Sequence, residues 1–138
     1  RLVELARWRD RLGVPMVVQP RHWPVAEAPL AQAVIALRET AGDAAAIRLG
    51  HRFMRAIWAE VANPADPATF AALAAECGLD GPALAEVARD ARWAERRRAD
   101  SEAALALGVF GAPTYVIAGE LFWGQDRLDF VEERLARG

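Results

Sequence analysis

Residues 111–128, GAPTYVIAGELFWGQDRL, contain two short β-forming runs that are apolar on both faces. Thr114–Ala118 and Leu121–Trp123 read as strands joined by a tight turn at Ala118-Gly119-Glu120. Along the first, Tyr115 and Ile117 point one way and Val116 the other; the second is apolar throughout. Strands buried on both faces belong inside a sheet with helices above and below. A lone two-stranded hairpin is marginal in water. The preceding residues offer one further short extended run, VPMVVQP at 14–20, limited by its two prolines. The sequence therefore calls for strands it does not contain, supplied by an upstream segment or by a partner chain.

Everything else reads as helix. Leu2, Leu5, Trp8, Arg9 and Leu12 give an amphipathic helix closed by Gly13. RHWP is a loop, because a residue before proline avoids the helical region. A helix from roughly 26 to 40 stops at Gly42. Another, over roughly 44–61, turns Ile47, Phe53, Met54, Ile57 and Trp58 inward. After the NPADP break, Asp66 caps a helix with Pro67 at its first position and Gly78 beyond its end. DGPALAEVARD repeats that grammar, with Gly81 or Asp80 as cap and Pro82 first, and a further helix ends at Gly108. At the C-terminus, Asp126 reads as an N-cap with Asp129 completing an acidic capping box. Leu128, Val131 and Leu135 form the last apolar stripe.

Composition narrows the classes. The chain is 54% hydrophobic and 26% charged, ample for a globular core. No apolar run approaches a membrane span, so a membrane partner is not expected. The net charge is −2, with basic and acidic residues interspersed, which argues against a nucleic-acid partner. A single cysteine, Cys77, excludes a disulfide framework within the chain and points to a reducing, cytoplasmic setting. The opening RLVELARWRDRL reads like a helix entered midway, and the expectation is that the biological protein starts well upstream.

GVFGAPTYVIAGELFWGQDRLDFVEERL (108–135) resembles the C-terminal signature of the 2-hydroxychromene-2-carboxylate isomerases, relatives of the kappa-class glutathione transferases and the DsbA-like branch of the thioredoxin superfamily. LARWRDRLGVPM, RHWPV and PADPATFAALAAECGLD fit as well, so the resemblance covers nearly the whole chain. It implies an α/β, thioredoxin-like fold with a large helical insertion. Residues 1–107 would be the helical insertion domain, with its short extended run near 14–19. Residues 108–138 would be the C-terminal ββα part of a thioredoxin-like domain whose βαβ half lies upstream.

The resemblance further implies a glutathione-dependent cis–trans isomerase of a small aromatic-degradation intermediate, working as a homodimer. Rotation about a double bond needs that bond made single, which reversible thiol addition achieves. The catalytic serine would lie outside this chain. The glutathione-binding positions would be Ala112 and Pro113, the latter a cis-proline that turns the Ala112 backbone toward the tripeptide, together with Gln125 and Asp126 at its γ-glutamyl end. Departures from the family pattern include Ala26, where an asparagine is usual, and they bear on the exact substrate.

Plainer readings stand beside these. Gly-x-Pro-Thr before a strand is also a structural turn. Phe122 and Trp123 suit a core better than a ligand contact, because their run is apolar on both faces. Cys77 reads as an inert half-buried residue, His22 and His51 lack metal-ligand spacing, and Arg96–Arg98 as a solvated helix face. Two other functions remain open from the residues alone. One is a thiol–disulfide oxidoreductase of the same fold, marked by an upstream Cys-x-x-Cys. The other is a helical module whose hairpin pairs with a partner chain.

Overall fold

The computed structural model describes residues 2–138. Seven α-helices and one hairpin follow in the order α1 (Leu2–Leu12), α2 (Glu27–Ala41), α3 (Asp43–Trp58), α4 (Pro67–Glu76), α5 (Gly81–Ala88), α6 (Ala91–Ala106), β1 (Thr114–Ile117), β2 (Glu120–Trp123) and α7 (Leu128–Ala136), among the described residues. The chain divides into two compact units, one reaching Arg97 and the other Arg98–Gly138, so the division falls inside α6.

The first unit is built on the α2–α3 helical hairpin. Ala33 and Ala36 of α2 and Ala46 and Ala56 of α3 are buried, and their small side chains let the helices approach closely. Leu30, Leu37, Leu49, Phe53, Phe70 and Leu73 fill the core they enclose, with Phe53 and Phe70 ring centroids 5.3 Å apart. Each such burial contributes about 1.5–3 kcal/mol. The expectation that Ile47 and Met54 face inward is overturned: they are 71% and 57% exposed. The buried stripe of α3 runs through Ala46, Leu49, Phe53, Ala56 and Ile57. At 3.6 residues per turn, Ile47 and Met54 lie about 100° around from it. Alanines took the inward positions that the larger residues seemed to claim.

The proposed caps form where the start signals stand. Asp66 accepts from the Thr69 N–H at 2.9 Å and Asp80 from the Ala83 N–H at 3.0 Å. Asp80 is thus the cap of α5, with Gly81 its first residue. Gly81 is needed there for space: a Cβ would stand 2.5 Å from the Ala71 Cα, so α5 begins in contact with the backbone of α4. A charge cluster closes this unit's surface. Arg52 bonds both oxygens of Glu76, at 2.8 and 3.2 Å, and Glu60 at 2.9 Å. The Arg52 hydrogen bond holds the Glu76 carboxyl below its ordinary range. Thr69 does the same for Asp66, first through its backbone N–H and then through its hydroxyl.

The 14–19 run joins no ladder; its Val17 N–H bonds to the Trp58 carbonyl at 2.6 Å instead. Arg96 and Arg97 are not simply solvated, since they reach Glu39 at 3.2 Å and Glu27 at 2.7 Å on α2. Arg98 pairs with Glu102 one helical turn on.

In the second unit β1 and β2 form an antiparallel two-stranded sheet, with Tyr115 opposite Phe122 and Ile117 opposite Glu120. Glu120 therefore belongs to the strand, not to the turn. The turn is the two-residue Ala118-Gly119, with φ of +50° and +84°, the mirror-image geometry that matches strand twist. Val131 is the buried residue of α7, while Leu128 and Leu135 are 45% and 62% exposed, so the expected three-residue stripe is not covered. No helix among the described residues is long and apolar enough to cross a membrane.

Candidate functional site

The hairpin register decides what meets at its open end. Thr114 faces Trp123 on the last rung, so Pro113 falls opposite Gly124. The Gly124 N–H donates to the Pro113 carbonyl oxygen at 3.0 Å; proline has no N–H to return the bond. Ala112-Pro113 and Gln125-Asp126 are far apart in sequence, yet this bond holds them at one end of one hairpin. All four residues are exposed.

The 111–113 segment is shaped by three contacts. The Thr114 hydroxyl donates to the Gly111 carbonyl at 2.6 Å. The Trp123 indole lies across Gly111, where a Cβ would stand 2.7 Å from its Nε1. Phe110 packs on the same indole with centroids 4.9 Å apart. The Ala112–Pro113 peptide bond is cis, as is Trp23–Pro24. Neither the N–H nor the C=O of Ala112 takes part in a hydrogen bond among the described residues. A bare, exposed peptide unit at a strand's start can pair with an extended peptide.

Trp123 is not a core residue as expected; it is 53% exposed, because the side chain folds over the Gly111 loop and not into a packed layer.

On the other side, Gln125–Arg127 form a 3-10 turn that leads into α7. This overturns the reading of Asp126 as N-cap with Asp129. The first residue of α7 follows Arg127, and no side chain caps either the turn or the helix. The early 3-10 turn carries Asp126 past the cap position, and its carboxylate folds back over Gly124. A Cβ on Gly124, whose φ is +118°, would lie 2.4 Å from Asp126 Oδ1. Asp126 Oδ2 pairs with Arg127 Nη1 at 3.1 Å, both side chains being nearly half exposed. Such a pair contributes at most about 1 kcal/mol, so an incoming ammonium can displace it at little cost. The carboxylate is thus free of the capping duty that would have competed with ligand binding, and the Gln125 amide carries no described hydrogen bond.

The Arg127 pairing was missed from the sequence, although the adjacent Asp126-Arg127 charges were its visible signal. Cys77 is half-buried, and no group of three His, Cys, Asp or Glu among the described residues is arranged to hold a metal.

Residues 2–136 match the family model of the DSBA-like thioredoxin domain, and the chain belongs to that family. Its fold is the DsbA-like thioredoxin fold, of which this chain carries a mostly helical part with a C-terminal hairpin and helix. Among named relatives it is similar to 2-hydroxychromene-2-carboxylate isomerase of Sphingobium xenophagum, 33% identical over 135 residues, covering 97% of this chain and 66% of the relative. The enzyme of the same name from Pseudomonas putida is 27% identical over 135 residues, covering 98% of this chain and 64% of the relative. A solved structure of 2-hydroxychromene-2-carboxylate isomerase in selenomethionine form matches with a TM-score of 0.75 at 27% identity, covering 98% of this chain and 64% of that one. The chain thus spans about two-thirds of the length of these relatives.

Proposed function

We propose that this chain is part of a glutathione-dependent cis–trans isomerase acting on 2-hydroxychromene-2-carboxylate or a similar aromatic-degradation intermediate, in the cytoplasm and as a homodimer. The observation that carries the reading is the Gly124–Pro113 bond, which sets the unpaired Ala112 peptide unit and the Asp126 carboxylate, held only by the exposed Arg127, at one hairpin end. The names of the relatives support the same reaction class.

The residues present fit glutathione. Ala112 offers its N–H and C=O to the cysteinyl backbone, and Pro113 fixes the direction in which they point. Asp126 takes the γ-glutamyl ammonium, and the Gln125 amide hydrogen-bonds its carboxylate. Bound there, glutathione supplies the thiol on which reversible addition to a conjugated double bond depends. The chain's own part is to bind and orient that tripeptide along the hairpin end. In this reading the hydroxyl that favours thiolate belongs to a serine outside these residues.

Calorimetric titration of the whole protein with glutathione tests the assignment. Asp126→Ala and Gln125→Ala each weaken binding; unchanged affinity in both variants refutes it.

A further inference from the structure

Both members of the hairpin's last rung, Thr114 and Trp123, reach back to one residue outside it. The Thr114 hydroxyl donates to the Gly111 carbonyl at 2.6 Å. The Trp123 indole lies across Gly111, its Nε1 only 2.7 Å from where a Cβ would stand. The Gly111 carbonyl and the Ala112 N–H are the two ends of one planar peptide unit, so a hold on the first sets the direction of the second. Phe110 backs the indole, with ring centroids 4.9 Å apart. Trp93 offers the contrast of an indole kept for packing: it is 7% exposed, and its N–H bonds to the Val87 carbonyl at 2.9 Å. Trp123 is 53% exposed and turns its covered side to residues 110 and 111.

We infer that Thr114 and Trp123 are positioning residues: between them they fix the plane of the Gly111–Ala112 peptide and so aim the Ala112 N–H at the incoming tripeptide. Thr114 sets the plane through its hydrogen bond. The indole, resting where a side chain at 111 would stand, limits how far that unit can turn, and only glycine there lets the ring come so close. Neither side chain needs to touch the ligand. The Ala112 N–H has no partner among the described residues, and holding it in place beforehand removes part of the ordering cost of binding. The inference rests on the glutathione reading for its ligand; the hold on the Ala112 amide exists without one.

The test uses the whole protein. NMR relaxation of the Ala112 amide is measured without ligand, and glutathione and L-glutamine are then titrated separately. L-glutamine is a γ-glutamyl amide that can reach Gln125 and Asp126 but has no cysteinyl backbone for Ala112. Thr114→Val is expected to loosen the Ala112 amide and to weaken glutathione about three- to tenfold, with L-glutamine held within about twofold. Thr114→Ser, which keeps the hydroxyl, holds the amide and the glutathione affinity at their wild-type level. Trp123→Leu behaves like Thr114→Val, and Gly111→Ala, which drives the indole off, adds no further loss to it. A rigid Ala112 amide in Thr114→Val, full glutathione affinity in either variant, or equal loss of both probes overturns the inference. So does a serine variant no better than the valine one, or losses that multiply when Gly111→Ala joins Trp123→Leu. Where L-glutamine binds too weakly to titrate, the amide and glutathione readouts decide. If the wild type binds no glutathione while the Ala112 amide still loosens in Thr114→Val and recovers in Thr114→Ser, the isomerase reading falls and the hold on Ala112 stands.

Discussion

Gly124 and Pro113 are joined by a single hydrogen bond, N–H to carbonyl at 3.0 Å, one step past the final rung of the hairpin. That bond sets the spacing between the Ala112 peptide and the Asp126 carboxylate, which folds back over the bare Cα of Gly124.

Placing a methyl group on that Cα must push the carboxylate away. Gly124→Ala is therefore expected to weaken glutathione binding at least as much as Asp126→Ala, which costs about tenfold, or about 1.4 kcal/mol. Asp129→Ala, on an exposed side chain outside the site, leaves affinity unchanged. Isothermal titration of the three variants decides it, and equal loss in all three contradicts the assignment.

Ala118 holds φ at +50° in the hairpin turn. A left-handed conformation costs a residue with a Cβ roughly 1–2 kcal/mol, while glycine's extra freedom in the unfolded chain returns about 0.4–1 kcal/mol. Relief outweighs entropy. Ala118→Gly is expected to raise stability by roughly 0.5–1 kcal/mol, seen as slower amide exchange in β1 and β2.

Two helical glycines predict opposite outcomes. At Gly50 a Cβ meets only Val34 Cγ2, at 3.9 Å, so Gly50→Ala stabilises α3 by about 0.5–1 kcal/mol. At Gly81 the same methyl collides with the Ala71 backbone at 2.5 Å, and overpacking costs about 1–3 kcal/mol. Urea denaturation of both variants should move the midpoints in opposite directions. In the same assay Asp80→Ala, which removes the cap on Ala83, costs about 1 kcal/mol.

Asp66 and Glu76 both have carboxyls held below their ordinary range in the folded protein. A lowered folded value means the unfolded chain binds protons first as pH falls. Their stabilisation is thus complete above the ordinary carboxylate range and fades as pH drops through it toward the lower folded values. Thermal melts from neutral to acidic pH should show this decline, and Asp66→Asn with Glu76→Gln should flatten it. An unchanged slope in the double variant contradicts the assignment.

Helices and their starts were legible because they rest on local chemistry: Asp66 and Asp80 cap where they stand, and Pro67 begins α4, although Gly81 and not the expected Pro82 is the first residue of α5. The hairpin was legible too, from two short β-forming apolar runs and a Gly-containing turn between them. What sequence periodicity missed was which apolar residue faces inward. Ile47 outweighs Ala46 on any hydrophobicity scale, yet Ala46 is 4% exposed and Ile47 71%, because the buried stripe of α3 runs through positions 46, 49, 53, 56 and 57. The Asp126 expectation failed for a different reason. Whether a carboxylate caps a helix or turns back depends on the dihedrals of Gly124 and the 3-10 turn after it, which residue types alone do not specify. The four candidate site residues were found through resemblance; the Gly124–Pro113 bond that brings them together follows from register.

The hairpin's two outer edges have no neighbouring strand among the described residues. Each presents a row of unsatisfied amide and carbonyl groups, a docking template for any extended segment that arrives. Handling this stretch in isolation therefore courts self-assembly into ribbons, and dilution or a lysine on the rim of β2 should be the first remedy tried against clouding samples.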